Sequence, residues 1–325
     1  MSKKLQRISE HLPIGVLPTL FTLGNLVCGF FAIVVASRVG RPLSANQPFE
    51  LLLADFQNVQ FAGWLIFGAM VFDALDGHIA RLTRTTSDFG AQLDSLCDVV
   101  SFGVAPGFLL VKMCPDIVAE HGRIVWIIAA MIASCAALRL ARFNVELDAE
   151  EDRLRALATA AVPDSTTSAT SELMPGASLE NGVTSGGTAV AADHSTFSGL
   201  PSPAAAGSIA GFAIIFHAIL SHFGDRESHW LLRFFEIAQQ QLPFYGALVA
   251  VLMVSRLPYP HIVNRFFSGR RRFRDLVRVV LILFLLLMFR NYAIPLLFFV
   301  FTISGPVRYL VNWIRLRRIP DEDLF

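Results

Sequence analysis

Residues 71–103 read VFDALDGHIARLTRTTSDFGAQLDSLCDVVSFG, with Asp73, Asp76, Asp94 and Asp98 set in two apolar stretches on either side of a short polar turn. The apolar run before the turn covers 59–82 and the one after it covers 89–113, each long enough to cross a bilayer, which takes about 20 mostly apolar residues. An ionised carboxylate inside a span costs roughly 2.5–3.5 kcal/mol and marks function more often than structure. Four of one sign in adjacent helices repel one another and are desolvated together, so something positive must sit among them. Spacing sharpens this. Asp73 and Asp76 are an i, i+3 pair, Gly77 and Arg81 are i, i+4, and Gly90, Asp94 and Asp98 form an i, i+4, i+8 stripe, so each set shares one helix face. Counted from the middle of the turn, between Thr85 and Thr86, Asp73 and Asp98 are equally distant and Asp76 and Asp94 nearly so. An antiparallel hairpin therefore brings the four carboxylates to two matched levels near one membrane surface.

Hard carboxylate oxygens select Mg²⁺, Mn²⁺ or Ca²⁺ over softer metals. Two divalent ions balance four carboxylates, and a two-metal site about 3.5–4 Å across clamps an in-line phosphoryl displacement. Gly77, Ala80 and Gly90 leave room for a ligand against the backbone, and Arg81 stands one turn past Gly77, where its fork suits a phosphate. His78 falls on another face. Arg81 and Arg84 neutralise at most two of the four charges, which argues against a purely structural ion network. A carboxylate-lined cation path stays open on these residues alone.

The remainder of the chain fits a membrane protein. Of its 325 residues, 54% are hydrophobic and 16% charged, against about 25% charged in soluble proteins. Eight spans are expected, at roughly 14–37, 59–82, 89–113, 123–146, 203–223, 241–256, 275–290 and 293–314, the first read as a retained helix rather than a cleaved leader. Basic residues gather at Lys3, Lys4 and Arg7, over Arg256–Arg274, and at Arg315, Arg317 and Arg318. The positive-inside rule then places both termini and the 82–88 and 256–274 loops in the cytoplasm, with 38–58 and 222–240 outside. The run Arg270–Arg272 reads as a membrane-flanking loop, not a nucleic-acid site. Residues 148–198 are rich in Ala, Ser, Thr and Gly and read as a cytoplasmic insertion with a helical start at 148–158. Cys28, Cys97, Cys114 and Cys135 have no CxxC spacing and suggest neither a metal knuckle nor a disulfide framework. No internal repeat is found. The expected divisions are 1–147, 148–198, 199–256 and a C-terminal basic loop and helical hairpin at 257–325.

Written out, Asp73-x2-Asp76-Gly77-x2-Ala80-Arg81-x8-Gly90-x3-Asp94-x3-Asp98 resembles the whole signature of the CDP-alcohol phosphotransferases. That resemblance implies an all-α, usually dimeric membrane enzyme with a six-helix core, here followed by the C-terminal hairpin. It implies two divalent cations (Mg²⁺ or Mn²⁺) on Asp73, Asp76, Asp94 and Asp98, with Asp98 also taking the proton of the attacking hydroxyl. Gly77, Ala80, Arg81 and Gly90 would line the CDP moiety. The segments LPTLFTLGNLVCGFFAI (17–33), LDSLCDVVSFGVAPG (93–107), ALRLARFNV (137–145) and FSGLPSPAAAG (197–207) are similar to the branch that uses CDP-diacylglycerol as donor and L-serine as acceptor, in a prokaryotic inner membrane with the site facing the cytoplasm. The long 148–196 stretch departs from that pattern.

Several roles stay open. Thr22 and Asn25 share a face in the cytoplasmic half of the first span, where they would touch the nucleotide or bond to a neighbouring helix. Arg139 and Arg142 would bind donor phosphate or the serine carboxylate, or simply anchor the cytoplasmic end of the fourth span. Pro201 and Pro203 shape the start of the fifth. The acceptor could instead be glycerol 3-phosphate or an inositol phosphate, though those would call for extra cationic residues.

Overall fold

Hydrocarbon offers no partners to backbone amides and carbonyls, so long apolar runs must bond internally as helices. The computed structural model describes residues 16–39, 49–83, 88–160, 196–223, 229–260 and 288–316. Among them the helices are α1 (Val16–Ser37), α2 (Phe49–Thr83), α3 (Asp88–Val99), α4 (Ala105–Met113), α5 (Pro115–Ala160), α6 (Ser202–Phe223), α7 (His229–Val254) and α8 (Arg290–Leu316). A π-helical segment, Val100–Val104, joins α3 to α4, and α5 is kinked at His121. Seven stretches are long and apolar enough to cross a membrane: Pro18–Ser37, Leu53–Ala80, Phe89–Met113, His121–Glu146, Ser202–His222, Arg233–Val254 and Arg290–Ile314. The chain is an all-α polytopic membrane protein. Of the span expected over 275–290, residues 275–287 lie outside the described residues, as do most of the 256–274 basic loop and residues 161–195 of the insertion.

Two helices begin earlier than the apolar runs suggest. α2 reaches back to Phe49 and α7 to His229, into segments expected to be external loops. Each extension buries one face. On α2, Phe56 is buried while Gln57 is exposed; on α7, Phe235 and Gln239 are buried while Arg233 is exposed. A packed stripe holds such a helix without a continuous apolar run.

Among the described residues there is one small departure from all-α structure. Strands β1 (Thr196–Ser198) and β2 (Pro258–Pro260) pair antiparallel, with Phe197 opposite Tyr259. The turn after β1 needs glycine: Gly199 has φ +90°, and a Cβ there would lie 2.6 Å from the Met253 carbonyl oxygen. Its N–H donates to Leu257 O at 3.0 Å, and the Leu200 N–H donates to Leu252 O at 3.0 Å. The latter bond satisfies a carbonyl near the C-terminal end of α7 that the helix itself leaves unpaired.

Helix association in lipid rests on close packing. α6 is the most enclosed span and packs against both α2 and α8, with small residues at the contacts. A Cβ on Gly63 of α2 would sit 3.0 Å from the Ala210 carbonyl oxygen, and one on Gly211 would sit 3.0 Å from Pro295 of α8. Buried Tyr259 donates its hydroxyl to Thr302 O at 3.1 Å, and burial lifts its phenol to about 12. Lys112 donates to Val39 O at 2.9 Å, just beyond the C-terminal end of α1, where the helix dipole favours a cation.

The chain divides into two units, one of residues 1–141 with 196–325 and one of Arg142–Ser195. Of α5, the residues up to Ala141 belong to the first. The described part of the second, up to Ala160, is helical, including the expected helical start at 148–158.

Candidate active site

Asp73 and Asp76 lie in the last three turns of α2, and Asp94 and Asp98 in the second half of α3. One carboxylate oxygen from each of Asp73, Asp76 and Asp94 lies within 4.8 Å of the other two. The hairpin thus brings together three of the four groups that spacing predicted. Asp76 is 5% exposed and Asp98 7%, while Asp73 and Asp94 are half-buried. Asp76 Oδ2 and Asp94 Oδ1 are buried without a hydrogen-bond partner among the described residues. Unpaired, shielded carboxylate oxygens are costly. Their convergence is what a hard divalent cation requires, and the donor set fits one.

Asp98 stands apart from this trio, though near enough for its charge to act on Asp73 and Asp94. Its Oδ1 accepts a 2.9 Å bond from Asn25 Nδ2 of α1. The Asn25 carbonyl oxygen in turn accepts from Ser101 Oγ at 3.0 Å, so α1 is tied at one residue to both α3 and the π-helical segment. Gly29 lets this happen: a Cβ there would lie 2.8 Å from Ser101 Cα. Asn25 is fully buried, and its amide nitrogen faces Asp98. π-helical segments recur beside functional sites because they re-aim the residues next to them, and this one starts two residues after Asp98.

Thr22 is buried beside Asp76, within hydrogen-bonding reach, and donates to its own helix at Pro18 O, 3.2 Å. Gly77 borders open space: a Cβ there would meet no atom of the described residues within 4 Å. Ala80 and Gly90 are half-buried, and His78 is exposed. Arg81 lies on α2, its side chain outside the described set.

Arg139 of α5 is part-buried and interacts electrostatically with Asp98. Its Nη1 donates to Ser202 Oγ at 3.2 Å, while its Nε is buried without a partner among the described residues. Arg142 belongs to the second unit and pairs at the surface with Glu146 at 2.7 Å. Sequence reasoning singled out neither Ser101 nor Ser202. Ser101 lies three residues past Asp98, a proximity that hinted at its role. The approach of Ser202 to Arg139 joins positions 63 apart and has no local signal.

A family model described as CDP-alcohol phosphatidyltransferase matches residues 15–175. Among curated proteins, a Helicobacter pylori (strain J99) protein is 35% identical over 139 residues, covering 43% of this chain and 50% of its own length. A Bacillus subtilis protein is 34% identical over 134 residues, covering 41% and 63%. A Mycobacterium tuberculosis (strain H37Rv) protein is 29% identical over 246 residues, covering 75% and 61%. All three carry the name CDP-diacylglycerol–serine O-phosphatidyltransferase. The matched region spans between half and somewhat under two thirds of the length of each.

Proposed function

We propose that this protein transfers the phosphatidyl group of CDP-diacylglycerol to the hydroxyl of L-serine, giving phosphatidylserine and CMP; the match of residues 15–175 to the CDP-alcohol phosphatidyltransferase family model supports that reading. The observation that carries the reading is the trio Asp73, Asp76 and Asp94, with converging and unpaired oxygens, beside an Asp98 held by Asn25. The named relatives supply the donor and the acceptor.

Asp73, Asp76 and Asp94, with Asp98 beside them, would hold Mg²⁺ or Mn²⁺. Bound there, divalent cations neutralise charge on the diphosphate and on the departing CMP. The chain's own residues do the rest. Gly77 leaves room for the nucleotide to lie against α2, with Ala80 and Gly90 lining it, and Arg81 pairs with phosphate. Thr22 keeps Asp76 in place. Asp98, fixed by Asn25, accepts the proton of the serine hydroxyl as its oxygen bonds to the phosphorus bearing the diacylglycerol. The bond from that phosphorus to the CMP oxygen breaks in line, and CMP leaves. Pre-set charge and orientation should supply most of the rate enhancement. The same reading puts the site on the cytoplasmic side of a prokaryotic inner membrane, in a homodimer.

The test uses purified full-length protein, CDP-diacylglycerol, Mg²⁺ or Mn²⁺ and a panel of alcohols, with CMP release measured. CMP is expected with L-serine and its loss on chelation. No CMP with any alcohol overturns the enzyme reading, and CMP with glycerol 3-phosphate but not serine overturns the acceptor.

A further inference from the structure

The Arg139 guanidinium carries five N–H donors and cannot shed its charge. One donor goes to Ser202 Oγ, yet Nε is buried without a partner among the described residues. A charged donor left unmet in a shielded place is costly, and Asp98 is close enough to sense it. Such an edge has capacity for a ligand. A guanidinium edge favours an acceptor with two oxygens on one centre, a carboxylate or a phosphate.

Ser202 is the fixed partner in this pair. It lies between Pro201 and Pro203, whose rings lock their φ angles. The backbone around it is pinned by Gly199 to Leu257 and Leu200 to Leu252, each 3.0 Å, and by the Ala205 N–H to Pro201 O at 2.9 Å. The residue is 1% exposed. Arg139, on a long flexible stem, is the partner that needs holding.

We propose that Ser202 is a positioning residue that holds one arm of Arg139 so that its Nε edge binds a substrate oxyanion beside Asp98. The oxyanion is the carboxylate of the amino-acid acceptor or a phosphate of the nucleotide-linked donor. This rests on the transferase reading above and adds to it the group that recognises substrate charge.

The experiment compares Ser202→Ala, Ser202→Thr, Arg139→Lys and the double variant Ser202→Ala/Arg139→Lys in the full-length protein, with KM for L-serine and for CDP-diacylglycerol measured separately. Ser202→Ala should raise one of the two KM values about tenfold, the size of a charged hydrogen bond misplaced, with kcat changed far less. A rise for L-serine identifies the carboxylate, and a rise for CDP-diacylglycerol identifies the phosphate. Ser202→Thr, which keeps the hydroxyl, should restore most of the loss. In the Arg139→Lys background, Ser202→Ala should add nothing, because Ser202 acts only through the guanidinium. Losses that multiply, or a fall in kcat with both KM values unchanged, overturn the proposal. If the parent chain releases no CMP with any alcohol, the functional reading fails. Thermal stabilisation by L-serine and by CDP-diacylglycerol, compared across the same four variants, then decides the role of Ser202.

Discussion

Asp98 and Asp94 are one helical turn apart, yet their surroundings differ. Asp94 offers a buried oxygen with no partner among the described residues, whereas Asp98 is met by the Asn25 amide at 2.9 Å. That difference assigns them different work under the proposed mechanism: Asp94 belongs with the cation-holding oxygens, and Asp98 is oriented as a base. Asp98→Asn should abolish transfer while leaving CDP-diacylglycerol binding largely intact, and equal loss of binding would mean that Asp98 mainly holds metal. Asn25→Ala should lower kcat roughly ten- to hundredfold through the lost hydrogen bond to a charged group, with the KM for CDP-diacylglycerol changed little; steady-state kinetics separate the two. Gly77 gives a second prediction, in which stability and activity move in opposite directions. A Cβ there meets nothing within 4 Å, and Gly to Ala inside a helix stabilises by about 0.5–1 kcal/mol. Gly77→Ala should therefore unfold at the parent's temperature or above it. The methyl group would still stand where the proposed function puts the nucleotide, raising the KM for CDP-diacylglycerol roughly tenfold or more. A variant that is both less stable and fully active would contradict this role for Gly77.

At the scale of elements, the site depends on how closely α1 meets the π-helical segment Val100–Val104. Gly29 faces Ser101 with no space for a side chain, a Cβ falling 2.8 Å from the Ser101 Cα. Because the obstacle is backbone, neither neighbour can yield by rotating a side chain. Gly29→Ala should cost about 1–3 kcal/mol, read as a lower unfolding temperature in detergent. It should also lower kcat, since the shift would pull the Asn25 amide away from Asp98. Retained kcat in a clearly destabilised variant would separate this packing from the chemistry. The aspartate hairpin was legible because its information is local: i, i+3 and i, i+4 spacings and symmetry about Thr85 and Thr86 suffice to bring Asp73, Asp76 and Asp94 together. Asn25 meeting Asp98 joins positions 73 apart, and spacing within one helix says nothing of which helix lies opposite. The early starts of α2 and α7 escaped for another reason. Hydropathy finds continuous apolar runs, whereas Phe56, Phe235 and Gln239 are buried along single helix faces outside such runs. The β1–β2 pairing depends on Gly199 and on a partner about 60 residues away, again beyond local pattern.

For the whole molecule, the number of crossings decides which side each end occupies. Seven spans lie among the described residues, and an odd number would put the N- and C-terminal basic clusters on opposite sides. The positive-inside rule instead asks for Lys3, Lys4 and Arg7 to share a side with Arg315, Arg317 and Arg318. Both conditions hold only if the total is even, as the eight expected spans, one of them over 275–290, would make it. Two spans precede the 82–88 turn and return it to the side of the N-terminus whatever the total, the side where CDP-linked donor and L-serine are made available under the proposed function. Single-cysteine variants Ser2→Cys, Ser87→Cys and Asp323→Cys, made after replacing Cys28, Cys97, Cys114 and Cys135, should all react with a membrane-impermeant maleimide in inside-out vesicles and be protected in right-side-out ones. If Asp323→Cys labels from the opposite side to Ser2→Cys, the total is odd and the stretch 275–290 does not cross. If Ser87→Cys labels from outside, the active site faces away from the cytoplasm, and the supply of its nucleotide-linked donor would need another explanation.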